Sequence, residues 1–169
     1  MANTFELIAS STVGSGGAAS IDFTSIPSTY TDLIIKTSFR ATSATTYNDI
    51  DVAFNGSTAS MTRRAVYADG SSASSFSAAN SRFTYTAASS TTASVFSNGE
   101  LYIPNYAGSN YKSVSSDVVS EMNSASQNLL LLLAGLWSNT AAINQITLTP
   151  TSGTFVQYST AYLYGVKNA

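Results

Sequence analysis

Clusters of glycine, asparagine, serine and proline break this chain every few residues, and between them apolar residues alternate with polar ones. A period of two puts successive side chains on opposite faces of an extended strand, whereas an amphipathic helix needs apolar positions at i, i+3, i+4 and i+7. No window of helical length carries that second pattern with good helix formers between its apolar positions. Helical signals are therefore almost absent, and strand signals run throughout.

Strands are expected at Phe5–Ala9, Ser20–Phe23, Asp32–Arg40, Asp49–Phe54, Met61–Ala68, Ser81–Thr86, Tyr111–Met122, Leu129–Trp137, Ile143–Thr149 and Phe155–Tyr164, with short pieces at Val95-Phe96 and Leu101–Ile103. In Asp32–Arg40, Leu33, Ile35, Thr37 and Phe39 share one face. Asn55-Gly56 favours a type I′ turn, because both central residues need positive φ; Met61–Ala68 would be the partner strand, closed by Asp69-Gly70. Asn98-Gly99 reads as a second hairpin turn, and the last two strands pair across Pro150 to Gly153. Residues 71–80 and 87–94 are low in complexity and read as exposed loops. About ten closely spaced strands predict an all-β, jelly-roll-like β-sandwich, with residues 1–169 as a single domain. A chain of 169 residues buries roughly 70% of its unfolded surface and needs no metal or disulfide staple. No internal repeat points to a propeller or solenoid.

Histidine and cysteine are both absent. That excludes a disulfide framework, thiol chemistry and any Ser-His-Asp arrangement. Charged residues make up 9% of the chain and net charge is −2. Seven scattered Lys and Arg make no basic face, so no nucleic acid partner is expected. The adjacent pair Arg63-Arg64 would point to opposite faces of a strand as ordinary surface residues. Met1 to Glu6 has no signal-peptide character. The longest apolar stretch, Leu129 to Trp137, is far short of the roughly 20 residues of a spanning helix, so no membrane partner is expected either. The reading is a soluble protein made in a cytoplasm. Serine and threonine fill 51 of the 169 positions. Such a surface stays wet without long side chains and loses little rotamer entropy on contact, which suits an assembly component. A monomer with a neutral surface fits the same composition.

Few positions suggest chemistry. Asp49 and Asp51 share a strand face and could hold Ca²⁺ or do acid–base work, but a polar face is also the ordinary outer side of a sandwich. Glu100, Asp117 and Glu121 are dispersed. Gly14 to Gly17 lacks the following lysine and helix of a phosphate loop. No catalytic residue, metal or cofactor is assigned, and an enzyme is not expected. Leu129–Leu133 is the most unusual segment: on a strand it presents leucine to both faces. One face fills the core and the other needs a cover, either a loop or another subunit; a short buried helix is the third option. The interface reading is adopted, with Leu129, Leu131, Leu133 and Trp137 at an oligomer contact. Tyr158, Tyr162 and Tyr164 share a face of the last strand, and Tyr102, Tyr106 and Tyr111 cluster around Pro104-Asn105. These last three are candidate ligand contacts, able to stack a sugar as Trp137 also could; tyrosine equally suits sandwich edges and subunit contacts.

Three segments, Ile26 to Ile35 (IPSTYTDLII), Leu101 to Tyr106 (LYIPNY) and Ser159 to Gly165 (STAYLYG), carry a resemblance that spans nearly the whole chain. The chain resembles small virion structural proteins of tailed bacteriophages, especially those of aquatic and cyanobacterial hosts. The resemblance brings no catalytic or binding motif with it. It implies a component of the virion. One version is a capsid decoration (cement) protein, β-rich, often trimeric, that binds itself and the major capsid protein. The alternative is a fibre or knob tip that binds host surface glycans. The chain shows no heptad stretch, collagen-like repeat or anchoring domain, and a fibre needs a shaft, so decoration is the expectation.

Overall fold

The computed structural model describes residues 4–124 and 128–167. Within them the chain forms twelve strands and no helix: β1 (Phe5–Thr12), β2 (Ile21–Phe23), β3 (Asp32–Phe39), β4 (Tyr47–Phe54), β5 (Met61–Ala68), β6 (Ala73–Ala78), β7 (Arg82–Ala87), β8 (Ser97–Pro104), β9 (Lys112–Ser120), β10 (Leu129–Trp137), β11 (Ile146–Pro150) and β12 (Thr160–Val166). They pair antiparallel in two sheets. The larger has eight strands in the order β1-β12-β3-β8-β9-β10-β5-β6, and the smaller has four in the order β2-β11-β4-β7. The result is an all-β sandwich with one shared core. A jelly roll is an eight-stranded arrangement of two Greek keys; twelve strands divided eight and four do not by themselves establish it.

The period of two decides what each sheet buries. From the large sheet Leu33, Ile35, Leu101, Ile103, Val114, Val118, Leu131, Leu133 and Trp137 point inward; Ile21, Phe23, Ile50, Val52, Phe54, Phe83, Ile146 and Leu148 meet them from the small sheet. Phe54 packs on Trp137 with ring centroids 5.3 Å apart and on Phe83 at 6.3 Å, both tilted. Such tilted pairs suit the ring quadrupole.

Several local expectations are corrected. Asn55 and Gly56 do adopt positive φ, 52° and 74°, and Phe54 and Ser57 exchange backbone hydrogen bonds across them. The turn does not join partners, however. β4 pairs with β11 and β7, whereas β5 pairs with β10 and β6, so the chain crosses to the other sheet after the turn. Ser60, at φ 60°, is a second left-handed residue on that crossing. Asn98-Gly99 is not a turn but lies inside β8, where strands on both sides supply ladder partners. Residues 71–80 are not all loop: β6 returns along β5, with Asp69 closing the turn by accepting from the backbone N–H groups of Ser71 and Ser72. The last two strands sit in different sheets and do not pair.

Two cations inside the fold, Arg40 and Lys112, are held by backbone carbonyls. Arg40 is buried and donates to Thr91 Oγ1 and the carbonyls of Thr91, Thr92 and Val95, which fixes the 87–94 loop. The Lys112 ammonium donates to the carbonyls of Gly108, Asn110 and Ala141 and lies 5.7 Å from the Trp137 ring centre. Burial pushes its pKa down.

Candidate functional site

The leucine run forms β10 over the expected residues, and register fixes which of its faces goes inside. Leu131, Leu133 and Trp137 stand beside Tyr67, Ala65 and Met61 of β5, and beside Val118, Ser116 and Lys112 of β9. All of these point toward the small sheet. Leu129, Leu131, Leu133 and Trp137 are therefore core residues, each nearly inaccessible to solvent. The residues assigned above to a subunit contact fill the sandwich instead. The phase of Trp137 was the overlooked signal: the largest side chain of the strand lies in step with the odd-numbered leucines, and a residue of that size marks the core face.

The opposite face carries what the run leaves outside. Leu130 is 55% exposed and Leu132 61%, with Val119 of β9 and Val66 of β5 at 44% and 56% on either side. Cross-strand register aligns Val119 with Leu130 and Ala68, and Asp117 with Leu132 and Val66. Four aliphatic side chains thus form one contiguous strip on the outer face of the large sheet. Isolated exposed aliphatics are ordinary, whereas these four are contiguous. Opposite charges flank the strip. Asp117 lies on β9, and Arg64 lies on β5 next to Ala134. Both are exposed, and neither takes part in an ion pair among the described residues. Further along the same face, Lys36 and Glu100 pair with each other.

The three candidate tyrosines are not brought together on an open surface. Tyr106 is fully buried, and its hydroxyl donates to the Pro27 carbonyl and accepts from the Tyr30 N–H at 3.4 Å. Burial pushes its pKa up. Tyr102 is half-buried on the outer face and donates to Asp32 Oδ2 at 2.8 Å. That bond, then burial, raises its pKa. Tyr111 alone is freely exposed. The first two brace the turn after β8, where Asp32 Oδ1 also accepts from the Asn105 N–H at 2.9 Å.

Asp49 and Asp51 point into the structure's own hydrogen bonds. Asp49 accepts from Arg63 at 3.2 Å and from Arg82 at 3.4 Å, and Asp51 accepts from Ser81 Oγ at 2.6 Å. No group of three or more acidic, histidine or cysteine side chains gathers among the described residues. Arg63 also corrects the surface reading of Arg63-Arg64: Arg64 is outside, but Arg63 is inside, 6% exposed. It reaches from β5 to the small sheet, donating to the Arg82 carbonyl at 2.6 Å and to Tyr85 Oη at 3.0 Å. Its guanidinium lies 4.8 Å from the Phe76 ring centre and 5.6 Å from that of Tyr85. A buried cation needs such a set of partners, and here they gather on one terminal nitrogen while the buried Nε has none among the described residues.

The outer apolar strip is thus the feature of this molecule most suited to contact with another macromolecule. No family model matches the sequence, and neither does any curated protein or solved structure.

Proposed function

We propose that this protein is a non-enzymatic structural component of a bacteriophage particle, a capsid decoration protein that associates with copies of itself, as a trimer, and clamps across subunits of the major capsid protein. The observation that carries the self-association is the strip of Val66, Val119, Leu130 and Leu132 with Arg64 and Asp117 beside it, neither in an ion pair among the described residues. A surface holding both signs next to an apolar centre can close a ring of copies, because Arg64 of one copy can meet Asp117 of the next, the heterologous contact a trimer needs. The particle assignment is supported by the resemblance of the three segments described above and by the low-charge, Ser/Thr-rich surface. A rigid sandwich suits clamping, since weak contacts repeated by symmetry add up to high avidity.

The test is the copy number of the protein in purified particles, measured by quantitative mass spectrometry against the major capsid protein. A ratio equal to that of the shell subunit, or a simple fraction of it, is the expected result. A handful of copies per particle would overturn decoration and place the protein at the tail or a vertex.

A further inference from the structure

The two sheets are unequal, and their mismatch opens a cleft. Edge strand β7 of the small sheet packs over β8, β9 and β10 of the large one. The large sheet continues two strands further, to β5 and β6. At this overhang a cleft of about 440 Å³ is lined by Thr46, Tyr47, Tyr67, Asp69, Phe76 and Tyr85, with Leu129 and Leu131 at its base. Four aromatic side chains from four different strands converge there, each half-buried. Tyr67 and Phe76 form a tilted pair with centroids 6.0 Å apart.

The charges around the cleft select its ligand. Asp69 carries the only carboxylate among the described residues that line it. Its Oδ1 accepts from Ser71 N–H, Ser71 Oγ and Ser72 N–H at 2.8–2.9 Å. Those donors hold its pKa down at about 2, so the group stays ionised. The contact to its Oδ2 is a long one, 3.5 Å from Ser72 Oγ, which leaves that oxygen able to accept from a ligand hydroxyl. A fixed negative charge disfavours phosphates and sugar acids. A bare cation is disfavoured in turn, because the Arg63 guanidinium already lies against the rings of Phe76 and Tyr85. What remains is a neutral molecule with apolar C–H faces for the rings and hydroxyls for Asp69 and Thr46. That pairing of aromatic surface with a few placed polar groups is the usual make-up of a small-molecule site.

We propose that the cleft between β5–β6 and β7 binds a neutral hexose unit of a glycan, stacked on Tyr67 and on the faces of Phe76 and Tyr85 turned away from Arg63, and hydrogen-bonded to Asp69 Oδ2. The proposal does not rest on the decoration reading; a protein that is not a shell component would still carry the site. The experiment is titration of the ¹⁵N-labelled full chain with the methyl glycosides of glucose, galactose, mannose and N-acetylglucosamine, followed by two-dimensional NMR, with glucuronate and choline as contrasting probes. At least one neutral glycoside is expected to give saturable shifts confined to residues around Tyr47, Tyr67, Asp69, Phe76 and Tyr85. Those shifts should vanish in both Asp69→Asn and Phe76→Ala. Should Phe76→Ala lose the dispersed spectrum of a folded chain, Phe76→Leu, which keeps an apolar filler without a ring face, takes its place with the same expectation. The proposal is overturned by the absence of saturable shifts with all four glycosides, by shifts that survive both substitutions, or by equal or tighter binding of glucuronate or choline.

Discussion

Replacing Leu132 by lysine separates the role of the outer strip from the stability of the fold. Leu132 is 61% exposed, so most of its apolar surface has yet to be covered. Full burial of a leucine side chain is worth about 1.5–3 kcal/mol, and covering the exposed three-fifths would contribute about 1–2 kcal/mol. A lysine forfeits that gain, weakening each copy-to-copy contact roughly five- to thirtyfold for each Leu132 it covers, and by the square of that where both copies contribute one. The isolated fold loses little, within about 1 kcal/mol, because the site is a surface one and the lysine stem can lie along Val66. Leu131→Ala is the matched control: that side chain is buried in the core, so the substitution costs about 2–5 kcal/mol of stability without touching the outer face. Sedimentation velocity over a concentration series reads the association, and urea unfolding with a constant m-value reads the stability. A Leu132→Lys variant that sediments as the same oligomer as the parent would refute the reasoning, as would a parent that is monomeric throughout the series.

Three further outcomes follow from the interior. Arg63→Ala strands the Arg82 carbonyl and Tyr85 hydroxyl and removes one of the two arginines on Asp49; because Asp49 is partly solvated and keeps Arg82, the urea midpoint should report the low end of the range for broken buried pairs, about 3 kcal/mol. Gly135→Ala would set a Cβ 2.7 Å from Val114 Cγ2 and 2.9 Å from Phe83 Cε1; overpacking of this kind costs about 1–3 kcal/mol, visible as a lowered urea midpoint. Burial, aided by Asp69 and Asp49 respectively, pushes Tyr47 and Tyr85 up to about 12 from the ordinary 10. Above pH 10 the unfolded chain releases these protons while the folded chain keeps them, so stability is complete below that pH and falls as pH rises toward 12. Urea midpoints on either side of pH 10 check this, and Tyr47→Phe should flatten the decline.

What could be read in advance was whatever is decided within one strand. Met61–Ala68 and Leu129–Trp137 have the expected limits because each is a run rich in apolar residues bounded locally by polar and turn-forming ones, Ser60 and Asp69-Gly70 for the first, Asn128 and Ser138 for the second. Asn55-Gly56 likewise has the backbone its side chains dictate. Which strand follows that turn as a partner is set by the whole sheet, and the crossing to β5 leaves no local mark. Asn98-Gly99 shows the reverse: a turn-prone pair held extended because β3 and β9 supply its ladder partners. The two faces of the leucine run were visible, but choosing between them needed the register against β5 and β9, or attention to Trp137. The cleft was out of reach altogether, since Tyr47, Tyr67, Phe76 and Tyr85 meet only after four strands from two sheets are in place.

The pairing of β1 with β12 bears on the order in which the molecule can be made. Phe5 stands opposite Val166, and β12 in turn lies between β1 and β3. As the chain emerges from a ribosome, β1 has no neighbour to bond, and β3 shows an open edge, until the strand at Thr160–Val166 is out. Closure of the large sheet is therefore a late, long-range event. Ring closures of this span make folding slow, and unpaired edges in the waiting chain are the kind that capture other chains. A population of nascent copies crowded on one message meets that hazard together. Outside Leu129–Leu133, the serine- and threonine-rich segments of the waiting chain are poor in the aliphatic runs that zip edges into aggregates.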